Sequence, residues 1–397
     1  MDIKTIAIVG GGIGGLAAAV FLAQKGYAIS IFDKAPQPEP VGAGFLLQPP
    51  GQDILNRLGV LPDILKVSVP ITALQSQTVT GRSLLDLEYQ RLKGTARNGL
   101  GVQRSTIYQA LLNRVVSFKN ITYQWGSNIS KVSEGTNRVT VVSNSDRQQF
   151  DFCILSAGAN SHLADEHFPN RVKRPYGWGC FWATCVLPAG LAPNVLHQRC
   201  RNTNKMMGVL PVKRHDDGYD AALYWSAKSS DIAAFSEQDF AALKQEIMAF
   251  WPEVATSVDL LGQQDFIAAN YHDIWTSKPY TNRLVLIGDI AHATSPQLGQ
   301  GCTMALLDAW SLGMCLPPSA EQLQKQLAKW WGTRKWQLLY VRHLSRLLTP
   351  LFQSESGLCE VFRDRLMAPI GRLPPFYGLQ LNTLAGNVFL TADADHR

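Results

Sequence analysis

Residues 3–9, Ile-Lys-Thr-Ile-Ala-Ile-Val, are apolar almost without interruption. Both faces of such a segment avoid water, which predicts a buried parallel strand. A glycine cluster at residues 10–15 follows, and residues 16–25 read as a helix that Gly26 closes as a left-handed cap. Ala28–Phe32 repeats the strand pattern and ends at Asp33, so the chain opens with a βαβ unit. Residues 36–51 are rich in Pro and Gly and predict a loop, and residues 52–58 a short helix ended by Gly59. Polar alternation at 71–91 predicts strands, and 106–116 a helix. Residues 121–125, 129–133 and 139–143 predict antiparallel strands. Phe152–Leu155 is another buried strand, ending in Ser156-Ala157-Gly158.

From about residue 172 to 275 the texture changes. Strand candidates at 179–187, 206–211 and 221–226 carry aromatic and β-branched residues, with a helix at Glu237–Phe250 between them and the next buried strand. This predicts a sheet-based domain inserted into the first. Residues 284–287 form a buried strand that runs into Gly288-Asp289, with a helix at 302–315. Residues 320–348 are helical in composition. The remainder, with Pro350, Pro369, Pro374 and Pro375, predicts helix fragments and loops.

A length of 397 residues suits two or three domains, or one large interleaved unit. Hydrophobic residues at 46% and charged ones at 17% exclude a disordered chain. The net charge of +6 is spread along the chain, which suits an anionic cofactor or substrate and argues against nucleic acid. The seven cysteines include no CxxC pair, so no metal site is expected and a reducing cytoplasm is the simple location. Glycines interrupt the apolar stretch after Lys4, unlike the core of a signal peptide. No apolar run reaches the roughly 18 residues of a membrane-spanning helix.

Gly10, Gly12 and Gly15 fill the three positions of G-x-G-x-x-G. Gly10 permits the tight turn, Gly12 the approach of a pyrophosphate, and Gly15 close helix–strand packing. Free N–H groups of the turn, Ile13 and Gly14 among them, then face the diphosphate at the positive end of the helix. Asp33, with Lys34 beside it, sits where a carboxylate accepts hydrogen bonds from a ribose diol. FAD and NAD both use this turn.

Three later segments add to it. Gly42-Ala43-Gly44 is followed by Gln48-Pro49. Arg104 opens the run Arg-Ser-Thr-Ile-Tyr-Gln-Ala-Leu-Leu. Gly288-Asp289-Ile-Ala-His292 leads to Pro296-Gln-Leu-Gly299-Gln300-Gly301-Cys302. With these four motifs in order, the chain resembles the FAD-dependent aromatic hydroxylases. These are single-component flavoprotein monooxygenases similar to para-hydroxybenzoate, salicylate and ubiquinone-pathway hydroxylases. The resemblance runs from residue 3 to roughly residue 348.

It implies an α/β fold: a Rossmann-like FAD-binding domain, an inserted mainly antiparallel β-sheet substrate domain, and a helical C-terminal region. The expected boundaries are 1–70, 98–171 and 276–318 for the first, 71–97 and 172–275 for the second, and 319–397 for the third. Gly44 would run beside the flavin and Arg104 contact the FAD. Asp289 would accept hydrogen bonds from the ribityl chain, and Pro296 pack beside the isoalloxazine ring. Gly299, Gly301 and Cys302 would open the helix whose positive end steadies reduced flavin. His292 is expected to orient its loop. Cys302 stands where the family often has Asn, and is expected to be a buried small residue and not a reactive thiol.

The middle motif departs from the family. Gly158 and Ser161 match, but the family's aspartate is Ala157 here and its arginine is missing. That motif handles both FAD and NAD(P)H, so the departure bears on flavin reduction.

The implied activity is that of an FAD-dependent monooxygenase. NADH or NADPH would reduce FAD, and O2 would form a flavin C4a-hydroperoxide that hydroxylates a flat, apolar, aromatic small molecule. The substrate is expected against the inserted sheet, with Trp178, Phe181, Trp182, Met207, Tyr224 and Trp225 as candidate walls. Tyr224, His215 and His272 are candidates for a base acting on a phenol. The alternatives are a flavin dehydrogenase or oxidase on the same scaffold, or a flavin-binding protein with weak NAD(P)H turnover. The basic, Trp-bearing segment with Trp330, Trp331, Lys335, Trp336, Arg342, His343 and Arg346 could touch a membrane surface. Its apolar positions do not share one face, so packing against the FAD domain is the expectation. The expected assembly is a monomer or homodimer.

Overall fold

A computed structural model describes residues 2–37, 43–92, 98–143, 146–235 and 237–390. Gly42 of the second motif lies outside the described residues.

The first apolar run forms the strand Thr5–Val9 at the centre of a five-stranded sheet. The order is Leu284–Leu286, Phe152–Leu155, Thr5–Val9, Ala28–Phe32, Ile121–Gln124. All four pairings are parallel. The strand's alternate residues enter two cores. Ile6 and Ile8 meet the helices Ile13–Gln24 and Gly301–Cys315, whereas Ala7 and Val9 meet Val132, Val141 and Phe150. The latter belong to a small antiparallel sheet of Ile129–Glu134, Val139–Ser143 and Asp146–Phe150. Burial on both faces is why the run carries no alternation. Helix Ile13–Gln24 is buried at every position except Gln24, which matches its apolar composition all round.

Ile121–Gln124 corrects the sequence expectation. It is the parallel edge strand of the main sheet, not part of an antiparallel set. The chain reaches it through helix Arg104–Val116, and a helical crossover returns a strand in the direction of its neighbour. The Asn120 side-chain amide secures the entry, donating to the carbonyls of Ala23 and Tyr27 at 2.9 and 2.8 Å.

The second sheet has seven strands in the order Ile267–Trp275, Val172–Val186, Gly218–Lys228, Lys205–His215, Val195–Arg201, Ala73–Thr78, Ser83–Glu88. All its pairings are antiparallel except that of Val195–Arg201 with Ala73–Thr78. Two separate stretches of sequence therefore share one sheet. Helix Glu237–Phe250 covers one face, where Leu243, Ile247 and Phe250 pack on Phe181, Met207 and Trp225.

The long helix Ala320–Phe352 continues through Pro350, beyond the expected end at 348. So close to the C-terminus the proline forfeits only a bond in the last turn. Leu323, Leu327, Trp330 and Trp331 join the main core, and Arg342 and Arg346 both reach the buried Asp273. Trp336 is exposed. Trp330, Trp331 and Arg342 of the basic, Trp-bearing segment are thus packed inside the protein, Lys335 and Arg346 are half-buried, and His343 is exposed. No helix among the described residues is long and apolar enough to cross a membrane.

Candidate active site

The fingerprint turn is shaped by contact. Gly10 has φ of 103°, and a Cβ there would lie 2.6 Å from the Ser156 carbonyl oxygen. A Cβ on Gly15 would lie 2.0 Å from the Gly10 carbonyl oxygen. Only hydrogen fits at either position. A Cβ on Gly12, by contrast, would meet nothing within 4 Å. The turn is therefore closed on its inner side and open on its outer side. The helix that follows has no side-chain cap and no acidic residue in its first turn, so its N–H groups remain free for an anion.

Asp33 is held at this turn. One carboxylate oxygen accepts the Gly11 N–H at 2.7 Å and the other accepts the Ala35 N–H at 2.9 Å. Each oxygen keeps a second acceptor direction for a ribose hydroxyl. The Tyr123 hydroxyl crowds the same spot, lying 1.8 Å from where a Gly11 Cβ would stand. The sequence reading did not single out Tyr123. Lys34 is exposed and lies outside the cavity described next.

A single cavity of about 1160 Å³ gathers the remaining cofactor candidates. Gly12, Ile13, Gly14, Gly44, Arg104 and Gly158 line it, as do Asp289, Pro296, Gly299, Gly301 and Cys302. Gly299 is left-handed, with φ of 62°, and turns the chain into helix Gly301–Cys315. That helix too lacks a side-chain cap and an acidic first turn. Two uncapped helix N-termini thus face one cavity. Arg104, the first residue of its helix, adds a permanent positive charge, and Asp289 sits beside Gly301. Free donors, an approachable backbone and a fixed cation suit the diphosphate and flavin ring of FAD, so these residues fit the group. The Cys302 thiol is pushed up to about 12, chiefly by burial. It stays protonated at neutral pH and is no nucleophile.

Behind the Gly288 turn lies a charge cluster that the sequence reading missed. Asp308 is 1% exposed. Its carboxylate accepts from His292 Nε2 at 2.5 Å, Arg334 Nε at 2.9 Å and the Gly288 N–H at 3.1 Å. Burial alone would raise its pKa, but His292 and Arg334 outweigh burial and bring it down to about 2. Arg334 also bonds Gln337, whose amide donates to the Gly386 carbonyl at 3.2 Å, and Gln300 donates to the Thr383 carbonyl. The flavin loop is thereby tied to the last C-terminal helix, Pro374–Leu384. A lone aspartate in the otherwise apolar helix Gly301–Cys315 was the available signal.

The substrate wall divides by strand parity. Trp182 and Tyr224 are cross-strand partners, their row continues through Gly208 and Gln198, and all four line the cavity. Phe181, Trp225 and Met207 form the adjacent row. Successive strand residues face opposite sides, so these three pack under helix Glu237–Phe250 and are core, not wall. Met206, one residue away, lines the cavity instead. Trp178 is part-buried near the end of the sheet and does not line the cavity.

The base candidates separate as well. His215 lies at a strand end, paired with Asp220 at 2.9 Å, and does not line the cavity. His272 does not line it either, and burial with the nearby Lys173 and Arg171 lowers its pKa. Tyr224 does line it. Its hydroxyl accepts from the Gln353 amide at 2.9 Å, and burial raises its pKa well above the ordinary 10. Tyr271, also in the wall, bonds Cys180 and is raised likewise by burial. Neither phenol is a base at neutral pH.

Comparison with known proteins agrees with this geometry. The model of the FAD binding domain family matches residues 3–322. The 2-heptyl-3-hydroxy-4(1H)-quinolone synthase of Pseudomonas aeruginosa is 26% identical over 378 residues, covering 91% of this chain and 93% of that protein. The 3-amino-4-hydroxybenzoate 2-monooxygenase of Streptomyces cremeus is 26% identical over 377 residues, 92% of each chain. The crystal structure of Klebsiella pneumoniae HpxO complexed with FAD and uric acid shares the fold. Its TM-score is 0.83 at 19% identity, over 96% of this chain and 97% of that one. With the fingerprint, the second glycine turn and the two uncapped helix ends converging as they do, the chain belongs to the FAD-dependent aromatic hydroxylase family and is an FAD-dependent oxidoreductase.

Proposed function

We propose that this protein is a self-contained monooxygenase that uses NAD(P)H and O2 to hydroxylate a flat, apolar aromatic molecule. The observation that carries the reading is continuity. The flavin cradle and the apolar face of the seven-stranded sheet line one cavity, so a ring placed against Trp182 and Tyr224 shares a chamber with the flavin. FAD, once bound, supplies the redox chemistry and the activation of oxygen. The chain supplies the rest. The fingerprint turn and Arg104 would hold the diphosphate. Helix Gly301–Cys315 would turn its positive end toward the flavin and favour negative charge there. Asp308, through Gly288 and His292, fixes the loop bearing Asp289. The sheet and the C-terminal helices exclude water.

The test is anaerobic mixing of the FAD-loaded protein with NADH and with NADPH, then turnover under 18O-labelled O2. The expected results are loss of the oxidised-flavin absorbance and a product bearing one labelled oxygen atom. A product lacking hydrogens and unlabelled supports the dehydrogenase or oxidase reading. Persistent yellow colour with both reductants supports a flavin-binding protein with weak turnover, the reading that Ala157 favours.

A further inference from the structure

The charge inventory of the cavity narrows the substrate. Its acidic and basic side chains, among the described residues, are Arg104, Asp289 and His292. All three belong to the cradle. Arg104 and Asp289 flank the helix start at Gly301, and His292 is bonded to Asp308. Among the described residues, the chamber beyond them has no lysine, arginine or histidine to receive a carboxylate or phosphate. Its polar groups are tyrosine, serine and threonine hydroxyls and glutamine amides, and several of these already have partners. Tyr224 is held by Gln353, Tyr271 by Cys180, Tyr340 by Thr383, and Gln300 by the Thr383 carbonyl. A buried anion in such a chamber would lack a counter-charge.

The rest of the wall is hydrocarbon, and more of it than one aromatic ring requires. The sheet contributes Leu74, Leu87 and Leu210 on one face, and the long helix opposite contributes Leu338, Val341 and Leu344. The apolar lining then continues to the surface. Leu347 and Leu358 line the cavity and are 69% and 85% exposed. Phe362, Ile370, Phe376 and Leu379 also line it and are exposed. The mouth of the chamber is therefore as apolar as its interior. Exposed apolar surface gathered at a cavity mouth marks a binding route, whereas scattered single residues do not.

We infer that the chamber is a subsite for a hydrocarbon chain, and that the substrate is an uncharged aromatic compound carrying such a chain. The ring lies at the flavin, and the chain runs between the seven-stranded sheet and the C-terminal helices toward the apolar mouth. This inference rests on the monooxygenase reading for the chemistry at the ring, but binding of the chain does not require turnover.

The experiment measures dissociation constants of the FAD-loaded protein for para-ethyl-, para-butyl-, para-hexyl- and para-octylphenol, with para-hydroxybenzoate as the charged comparison. Perturbation of the flavin spectrum gives the constants and isothermal titration checks them. Burial of a methylene is worth about 0.8 kcal/mol, so affinity is expected to rise about fourfold per added methylene until the chamber is filled. Para-hydroxybenzoate is expected to bind more weakly than para-butylphenol. Gln198→Arg places a cation on the chamber wall. It is expected to weaken para-hexylphenol at least tenfold and to favour para-hydroxybenzoate, with the far-ultraviolet circular dichroism unchanged. Affinity that is flat along the series, or tighter binding of para-hydroxybenzoate to the unaltered protein, overturns the inference. The series on the unaltered protein decides the matter even if the variant does not fold. Rising affinity without labelled product supports the hydrocarbon subsite and sinks the monooxygenase reading. Labelled product from a short phenol with flat affinities does the reverse.

Discussion

Replacing Asp308 by asparagine tests the charge cluster behind the flavin loop. The substitution keeps the shape but removes the one negative charge between His292 and Arg334, which are 8% and 6% exposed at their side chains. Arg334 is left buried without its counter-ion. Breaking a buried pair from one side costs about 3–5 kcal/mol. The depression of Asp308 from 3.8 to about 2 gives a second measure. It corresponds to about 2 kcal/mol. That figure is smaller because it counts only the preference of the folded state for the charged carboxylate. It leaves out the stranding of Arg334. Taking about 3 kcal/mol, with an unfolding entropy of about 2.1 cal/mol/K per residue over 397 residues, the melting temperature falls by about 4 °C. The pH dependence has a definite sign. The folded-state pKa lies below the unfolded one, so the stabilisation is complete above about pH 4 and is lost as pH falls from 3.8 toward 2. Calorimetry at neutral pH and acid titration of stability provide the assays. The unaltered protein is expected to lose more stability over that acid window than Asp308→Asn does. The double variant Asp308→Asn/Arg334→Met removes both charges and is expected to recover at least half of the loss. A single variant within about 1 °C of the parent, or a double variant with fully additive losses, would refute the reasoning.

Three further outcomes follow from the geometry. Gly12→Ala is expected to fold and melt as the parent apoprotein does but to bind FAD at least tenfold more weakly, because its methyl group enters only the space that receives the diphosphate. Gly15→Ala, whose Cβ would meet the Gly10 carbonyl oxygen at 2.0 Å, is expected to lose stability even without FAD. Thermal melts and FAD titrations of both apoproteins distinguish the two effects. Phe181→Ala is expected to cost about 3–5 kcal/mol in urea unfolding with no change in substrate KM, whereas its neighbour Trp182→Ala is expected to raise KM. Cys302, with its thiol near 12, is expected to be alkylated at least about a hundredfold more slowly than an ordinary thiol at about pH 8, as followed by mass spectrometry of the labelled peptide.

What the sequence determined by itself was everything governed by local rules. The all-apolar strands, the βαβ opening, the glycines at 10, 12 and 15 and the turn from Gly288 to Gly301 depend on residues close in the chain. Steric demands at a glycine or the burial of both strand faces act within a few residues, so spacing records them. The tertiary structure decided what depends on neighbours far away. Phe181 and Trp182 are both large and aromatic, and only the covering of one sheet face by helix Glu237–Phe250 makes one core and the other wall. Ile121–Gln124 reads as a strand in either sheet, and its partner Ala28–Phe32, about ninety residues earlier, sets its direction. Asp308 and Arg334 lie 26 residues apart on two helices, and no spacing rule joins them. The hydrocarbon chamber is more remote still from local pattern. Its walls come from a sheet drawn from two separate stretches of chain and from C-terminal helices whose sequence looked like fragments. Apolar residues on either side specify only that they avoid water, and packing decides whether they meet each other or leave a space between them for a substrate.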